Sequence, residues 1–498
     1  MNIFANKIFL HRSLPLIFAV PSIKLSNLAI LTSVITIFFS IIFYILVGYW
    51  ASFPYFILTT ALLSMHALVA VITTAGNVLY SVRYMLVWIL IFVTAYLWTN
   101  VHGEVFVAPF GLAYQNADNT RSLVLAGILS LCGSLMGWHM SIKKFHRSIS
   151  KFYILSKKRQ NQLRLVGLIL AFGFATIYIW KVGGFISNEK TYADGSQGFD
   201  LEFGVFNIFH FIGIALLLVS NVTVNAIRRK YLFIALFTLL AGIMTGSRAD
   251  FLPQAIIIIV FLFNKRIVKI FESKKYLHLF GYSVGSVIFI LIGYVIANII
   301  AQWRYIGNDP SAVVSIFLET EHGLLINEIY GHRMLYLETG NMMLGGMYAA
   351  IENVRRGVDG LRLGESYFNY LLIAPPAFLG LPRPLGLEWD ANVNGAVMAQ
   401  GGIFEVAEAY WNFGFFGCFL VSFGLSYFFA WLLRRGLLRN NYFFLVWYIV
   451  FGLHGFRAIW YQTFGYFRLM TIMLVIYVFG YLWAKWFIAP RDHVQNSV

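Results

Sequence analysis

One arginine stands at the turn between two short apolar segments. Arg248 lies in the sequence TGSRAD, residues 245–250, between the apolar segments 231–244 and 251–264. A helix of about 14 residues is about 21 Å long, whereas the hydrocarbon layer of a membrane is about 30 Å thick. The turn is therefore predicted to lie below the membrane surface, where Arg248 and the N-terminus of the following helix favour binding of a phosphate. The alternative is a snorkelling Arg248 that pairs with Asp250.

Arginine is the only cation on the predicted outer face beyond residue 240, although lysine is common in the other loops. Arg304 directly follows an apolar segment, and Arg457 and Arg468 flank the turn between the last two apolar segments. The guanidinium group suits two-point recognition of phosphate or carboxylate. Snorkelling explains these three arginines equally well. For Arg362, in a loop rich in acids, a surface salt bridge is the alternative.

Two glutamates precede an apolar segment in the sequence FEVAEAYWNFG, residues 404–414. Their spacing of three places Glu405 and Glu408 on one face of a helix, with Asn412 one turn further along. Acids are common at helix N-termini, which is the ordinary explanation. Because this helix continues into an apolar segment, Glu408 and Asn412 are predicted to approach hydrocarbon depth. We therefore favour a polar site at this position.

Weaker patterns lie in the loop that precedes this helix. The sequence GESY at 364–367, followed by two prolines at 375–376, looks like a loop that returns to the membrane. Glu388 and Asp390 form an acid-x-acid pair that could hold a divalent metal, although an isolated pair is weak evidence. No metal or cofactor is predicted from these patterns.

Three histidines lie on the same predicted face: His322, His332 and His454. Each could act as a base, but a single histidine is more often structural. The two cysteines, Cys132 and Cys418, both lie inside apolar segments, which argues against a disulfide or a zinc site.

Membrane helices must position these residues. The chain has 498 residues, of which 59% are hydrophobic and 12% are charged, whereas a soluble domain has about 25% charged residues. Apolar segments of about 15 to 22 residues, separated by short polar stretches, indicate an all-α polytopic membrane protein. We predict twelve transmembrane helices, at 27–48, 55–72, 84–99, 122–141, 164–182, 205–225, 231–244, 251–264, 277–299, 411–433, 441–456 and 467–486.

The distribution of charge predicts the orientation. One side of the membrane receives 25 of the 37 lysines and arginines, Arg83 among them, and only two acids. By the positive-inside rule this side is cytoplasmic, and both termini lie there. Contact with lipid headgroups explains the excess of positive charge. A nucleic-acid partner is not predicted, because no basic soluble domain would carry it.

The topology divides the chain into three parts. Residues 1–299 form an N-terminal transmembrane bundle of nine spans, which includes the short hairpin 231–264. Residues 300–410 form a large, partly helical outer loop that holds 12 of the 21 acids. Residues 411–498 contain the last three spans. A loop of this length inside a compact protein usually has a function.

The sequence resembles the Wzy-type O-antigen polymerases, which join oligosaccharide repeat units. The similarity lies in TGSR at 245–248, at the turn of a short hairpin, and in the long outer loop before the late spans. It also lies in FEVAEAYWNFGFFG at 404–417, where acids and aromatics precede an Asn-Phe-Gly entry into a span. GESY at 364–367, followed by two prolines, is similar as well. The predicted topology resembles that of these polymerases over most of the chain. The motifs are similar only over about residues 240–470.

The resemblance implies a GT-C-like glycosyltransferase of the bacterial inner membrane, with an active site that faces the periplasm. Such an enzyme transfers the growing glycan from undecaprenyl pyrophosphate to a sugar hydroxyl of an incoming lipid-linked unit, without a metal or cofactor. The implied partners are the undecaprenyl-pyrophosphate-linked oligosaccharide, membrane lipids, a chain-length regulator and a flippase.

The resemblance also implies roles for the candidate residues. Glu408 is the first candidate for the catalytic base, followed by Asp250 and His332. Five arginines are candidates for pyrophosphate binding: Arg248, Arg304, Arg333, Arg457 and Arg468. Five further residues are candidates for sugar binding: Glu365, Tyr367, Glu405, Tyr410 and Asn412. The aromatic side chains among them could equally be anchors at the membrane interface.

Three other functions compete with this interpretation. An O-antigen ligase uses the same donor but transfers the glycan to lipid A core, and the sequence separates it poorly from a polymerase. A twelve-span transporter or flippase should show similar halves and a charged loop between spans two and three, which residues 73–83 lack. A membrane acyltransferase usually relies on an intramembrane histidine, for which the sequence offers no strong candidate.

Overall fold

The computed structural model describes part of the chain. The described residues are 21–46, 52–74, 77–100, 104–107, 111–114, 117–143, 157–181, 201–223, 226–227, 229–244, 258, 326–329, 332–335, 350–351, 354, 360–378, 404–438, 441–461 and 463–487. The predicted spans 251–264 (apart from Ile258) and 277–299, and most of the predicted loop 300–410, lie outside the described residues.

Long helices account for nearly all of the described chain. They are α1 (Ile23–Leu46), α2 (Ser52–Thr74), α3 (Val78–Asn100), α4 (Ala117–Lys143), α5 (Lys157–Lys181), α6 (Leu201–Ser220), α7 (Arg229–Met244), α8 (Glu365–Phe378), α9 (Glu405–Leu438), α10 (Tyr442–Tyr461) and α11 (Phe464–Phe487). A helix bonds its own backbone N–H and C=O groups, which an apolar segment requires in a membrane. The predicted helical character is confirmed for this part of the chain.

Three short antiparallel strand pairs are the exceptions, and the sequence did not predict them. They are β1 (Glu104–Val107) with β2 (Gly111–Tyr114), β3 (Val222–Thr223) with β4 (Ala226–Ile227), and β5 (Ile326–Ile329) with β6 (His332–Leu335). Each pair joins strands that are adjacent in sequence, so each is a local hairpin.

Four described helical stretches are long and apolar enough to cross a membrane: α1, residues 57–74 of α2, residues 121–143 of α4, and α9. Shorter apolar stretches lie in α3, α6, α10 and α11. Helix α1 exposes large apolar side chains such as Leu31 and Phe38, which suits a surface that faces lipid. These helices agree with a membrane-embedded chain, and the number of twelve spans stays a prediction.

Helices α4 and α9 pack at the centre because two glycines let their backbones meet. A Cβ atom on Gly133 would lie 2.3 Å from the carbonyl oxygen of Phe419, and one on Gly137 would lie 2.2 Å from that of Phe423. A side chain at either position would therefore force the helices apart. Small residues spaced four apart are a common device for close helix packing in membranes.

Paired serines continue the same contact. Ser130 hydrogen-bonds to Ser422, and Ser134 to Ser426, both with an oxygen–oxygen distance of 2.7 Å. The partners advance together along both helices, so α4 and α9 run parallel, as two spans that cross a membrane in the same direction do. Hydroxyl pairs of this kind hold helices together in an apolar environment.

Helix α9 is broken at Gly414, where the backbone adopts φ 64° and ψ −151°. The Cys418 thiol contacts the carbonyl oxygen of Val406 at 3.6 Å, although residues twelve positions apart are about 18 Å apart in a straight helix. A Cβ atom on Gly417 would lie 2.3 Å from the carbonyl oxygen of Ala409. The segment 405–413, here named the arm, therefore folds back beside the first turns of the remaining helix.

Candidate functional site

The Glu408 carboxylate joins three separate elements. On one side, the Ser366 hydroxyl of α8 donates to Oε1 at 2.8 Å. On the other, the Thr463 backbone N–H donates to Oε2 at 3.1 Å, and the Thr463 hydroxyl donates to the same oxygen. The Tyr370 hydroxyl, also on α8, completes the set of donors. Glu408 itself is fully buried. Four neutral donors therefore replace water around a carboxylate within an apolar bundle, as a buried polar group requires.

Asn412 extends this network by one helical turn. Its Nδ2 donates to the Ser366 hydroxyl at 2.8 Å and to the carbonyl oxygen of Glu408 at 2.9 Å. Its Oδ1 is buried and receives no donor from the described residues. An amide oxygen with no donor is costly in an apolar environment. The site therefore holds one acceptor, next to a carboxylate, that suits a hydroxyl or amide donor from a ligand.

Backbone hydrogen bonds tie the start of α8 to the arm. The N–H of Arg362 donates to the carbonyl oxygen of Trp411 at 3.1 Å, and the N–H of Leu363 donates to that of Asn412 at 2.9 Å. Gly364 then turns the chain into α8 with φ +92°, and a Cβ atom there would lie 2.8 Å from the ring of Phe413. This turn places Ser366 opposite Glu408.

Aromatic rings cover the network. Tyr367 stacks on Phe413 and on Phe467, with centroid distances of 6.1 and 6.0 Å. Burial, with the Glu408 carboxylate nearby, raises the pKa of Tyr367 well above its ordinary value, so this phenol stays protonated. Tyr410 is buried against Phe415, with a centroid distance of 5.1 Å. Of the two predicted sugar-binding tyrosines, Tyr410 is thus buried and Tyr367 is half-buried in this conformation.

Glu405 forms a buried ion pair that the sequence did not predict. Nη2 of Arg83 donates to both carboxylate oxygens, at 2.8 and 2.7 Å. Nε of Arg83 donates to the Tyr466 hydroxyl at 3.0 Å, and that hydroxyl donates to the carbonyl oxygen of Gly455 at 3.1 Å. The ion pair therefore connects α3, the arm, α10 and α11.

The predicted separation of Arg83 from Glu405 is wrong. The third helix begins at Val78, several residues before the predicted span, so Arg83 lies within a helix. It is 7% exposed and its partner Glu405 is 3% exposed. The two groups were predicted on opposite faces of the membrane, but they meet inside the bundle because the arm folds back from Gly414.

The remaining predicted residues lie at varying distances from this network. Arg468 is half-buried on α11, shortly after Thr463, and Arg457 lies in the last turns of α10. Glu365 is exposed at the start of α8 and pairs with Arg362 at 3.2 Å.

For the other predicted residues the structure describes at most the backbone. His332 and Arg333 lie in the hairpin β5–β6, where they pair with Ile329 and Glu328 respectively. Three further candidates lie outside the described residues: Arg248, Asp250 and Arg304. Glu388 and Asp390, the predicted metal pair, lie outside them as well, and the described residues contain no group of three or more metal-ligating side chains.

Comparisons of the chain with protein-family models, curated proteins and solved structures find no match. A functional interpretation therefore depends on the residues themselves. The network contains a buried carboxylate held by hydroxyl and amide donors, an unpartnered amide oxygen beside it, and a separate ion pair at the start of the same arm. This arrangement can bind and orient a hydroxyl, and the carboxylate can accept its proton.

Proposed function

We propose that the chain is a membrane glycosyltransferase that polymerises undecaprenyl-pyrophosphate-linked oligosaccharide units, such as O-antigen repeats, at the periplasmic face of the bacterial inner membrane. The apolar helices suit a lipid-linked substrate. The segment 404–417, which carries the resemblance to Wzy-type polymerases, is the same segment that forms the arm and its break at Gly414. The motif and the buried polar network therefore coincide.

The observation that carries the proposal is the amide oxygen of Asn412. Among the described residues it has no donor, and the same side chain contacts Ser366, which contacts Glu408. In our proposal an acceptor sugar hydroxyl first donates to this oxygen. It then replaces the Ser366 hydroxyl as a hydrogen-bond donor to Glu408. Sugar hydroxyls are recognised by such pairs of carboxylate and amide groups, because each hydroxyl both donates and accepts.

The acceptor oxygen forms a bond to the anomeric carbon of the growing chain, and the bond from that carbon to the pyrophosphate oxygen breaks. The hydroxyl proton passes to Glu408, and undecaprenyl pyrophosphate leaves as an anion. Arginines stabilise such a leaving group when they are held in place before reaction. Arg457 lies six residues before Thr463 and Arg468 lies five residues after it, and we assign this role to them together with Arg248, Arg304 and Arg333.

Repeat-length analysis of surface polysaccharide tests the proposal. The gene is deleted and then restored as wild type, Glu408→Gln or Asn412→Ala, with Asn161→Ala on the exposed start of α5 as the matched control. We expect deletion to leave a single repeat unit on lipid A core. Wild type and Asn161→Ala should restore the ladder. Glu408→Gln should leave it absent at equal protein level, and Asn412→Ala should shorten it.

Two outcomes would replace the proposal. If deletion leaves no unit attached while lipid-linked polymer accumulates, the chain is an O-antigen ligase. If deletion leaves the ladder unaltered, both transfer reactions are refuted.

A transporter of lipid-linked oligosaccharides is the second candidate, favoured by one observation. Broken helices line the substrate sites of many transporters, and α9 is broken at Gly414, with the buried pair Arg83–Glu405 at the far end of the arm. Accumulation of lipid-linked units on the cytoplasmic leaflet of deleted cells would favour this candidate. Accumulation on the periplasmic leaflet would favour polymerisation, because a polymerase acts after translocation.

A further inference from the structure

The backbone at Gly414 does not by itself fix the direction of the arm. Gly414 interrupts the helix with a backbone conformation that side chains rarely adopt, so the direction of the arm does not follow from the direction of the rest of α9. Contacts must hold it instead. Glu408 is about six residues, or about 9 Å along a helix, from this break. A rotation of the arm by about 6° would therefore move the carboxylate by about 1 Å.

Among the described residues, backbone contacts place the arm against the first turns of α9 and the start of α8, and two sets of side-chain contacts then hold it at different places. Near the break, Glu408 and Asn412 contact α8 and Thr463. At the far end, Glu405 contacts Arg83 of α3. Only the second contact is an ion pair, and burial of both partners makes its geometry costly to change.

We propose that Arg83 is a positioning residue for the transfer reaction, acting through Glu405 on the arm that carries Glu408 and Asn412. This inference rests on the proposed function. Arg83 does not touch the reacting groups. Its Nη2 holds the start of the arm, and the bond from Nε to the Tyr466 hydroxyl fixes the orientation of the guanidinium group. Reacting groups that move by about 1 Å react about 100-fold more slowly.

The test must separate positioning from folding. Removing one partner alone would strand a charge in the bundle and destabilise the fold, whereas replacing both partners of a buried ion pair by apolar residues is often neutral. The informative variant is therefore the double substitution Arg83→Met with Glu405→Met. Lys158→Met, at the exposed start of α5, is the matched control for the loss of one cation. Arg83→Lys keeps the charge but loses the second donor, Nε, which bonds to the Tyr466 hydroxyl.

The full-length protein is purified into nanodiscs and supplied with lipid-linked repeat units extracted from cells that lack the gene. The initial rate of chain extension is measured against substrate concentration, and thermal unfolding of each variant is measured in parallel. We expect the double methionine variant to unfold at the wild-type temperature with kcat lower by about 100-fold and KM within about threefold of wild type. Arg83→Lys should lower kcat by about tenfold, and Lys158→Met should leave kcat unchanged.

Several results would overturn the inference. A folded double methionine variant with wild-type kcat would show that the ion pair does not position the arm. If that variant does not fold, Arg83→Lys decides: a folded protein with wild-type kcat overturns the inference, and a lower kcat at an unchanged unfolding temperature supports it. A wild-type protein that extends no chain refutes the proposed function itself, and Arg83 then has no transfer reaction to position.

Discussion

Alanine at position 364 should weaken the junction that brings Ser366 to Glu408. Gly364 has φ +92°, and a Cβ atom there would lie 2.8 Å from Cζ of Phe413. A left-handed backbone costs a residue with a side chain about 1–2 kcal/mol, and overpacking costs about 1–3 kcal/mol. The smaller entropy of alanine in the unfolded chain offsets about 0.4–1 kcal/mol. We therefore expect Gly364→Ala to lower the free energy of unfolding by about 2–4 kcal/mol.

The Phe413 ring has little room to yield, because Tyr367 stacks on it with a centroid distance of 6.1 Å. Gly360 supplies the matched control, since a Cβ atom there would meet nothing within 4 Å. Gly360→Ala should change the free energy of unfolding by less than about 0.5 kcal/mol, as is usual at open surface sites.

The assay is equilibrium unfolding in mixed detergent micelles, followed by circular dichroism, with both variants measured against wild type. Equal stability of Gly364→Ala and Gly360→Ala would refute the reasoning, because neither the left-handed turn nor the close approach to Phe413 would then exist. A loss confined to Gly364→Ala would support both. The same variant should also shorten the polysaccharide ladder, since it displaces Ser366 from the carboxylate of Glu408.

The other predictions concern two positions with nearby controls. Gly137→Ala should lower the free energy of unfolding by about 1–3 kcal/mol, because α4 and α9 must separate. Gly424→Ala, where a Cβ atom meets nothing within 4 Å, should be neutral or stabilising by up to about 1 kcal/mol. If both variants lose the same free energy of unfolding in this assay, the close packing of α4 on α9 is contradicted. Thr463→Val removes a hydroxyl donor from Glu408 and should cost about 1.5–3 kcal/mol. Thr471→Val, which loses only a hydrogen bond within α11, should lower the free energy of unfolding by less. A larger loss for Thr471→Val than for Thr463→Val would contradict the network around Glu408.

Apolar periodicity predicted the positions of most described helices, because a membrane segment has to satisfy its own backbone. The first and last residues of each helix were harder to predict. Helix α3 begins at Val78, and not at residue 84 as predicted. Arg83 marked that boundary in the sequence, since a cation normally ends an apolar segment. A buried acidic partner allows a cation to lie within an apolar helix. The sequence around Arg83 contains no acid that would indicate such a partner.

The arm shows where spacing misleads. Glu405 and Glu408 are three residues apart, which predicts one shared face of a helix and one polar site. The structure gives them different partners, because Glu405 meets α3 while Glu408 meets α8 and the turn before α11. Those partners lie between 42 and 322 residues away in the chain. Asn-Phe-Gly at 412–414 predicted an entry into a span, but nothing in its composition specifies that Gly414 reverses the chain.

The different partners of the two glutamates bear on which of them could act in transfer. The guanidinium of Arg83 compensates the charge of Glu405, so any other group would have to displace a strong ion pair in a medium of low dielectric. Within the described residues Glu408 has only neutral donors, three of them hydroxyls. A hydroxyl donor can exchange with a substrate hydroxyl at little cost, since the number of hydrogen bonds is conserved. In the proposed reaction Glu408 is therefore the carboxylate at which a sugar hydroxyl can replace a donor without breaking an ion pair, and Glu405 is the proposed anchor of the arm.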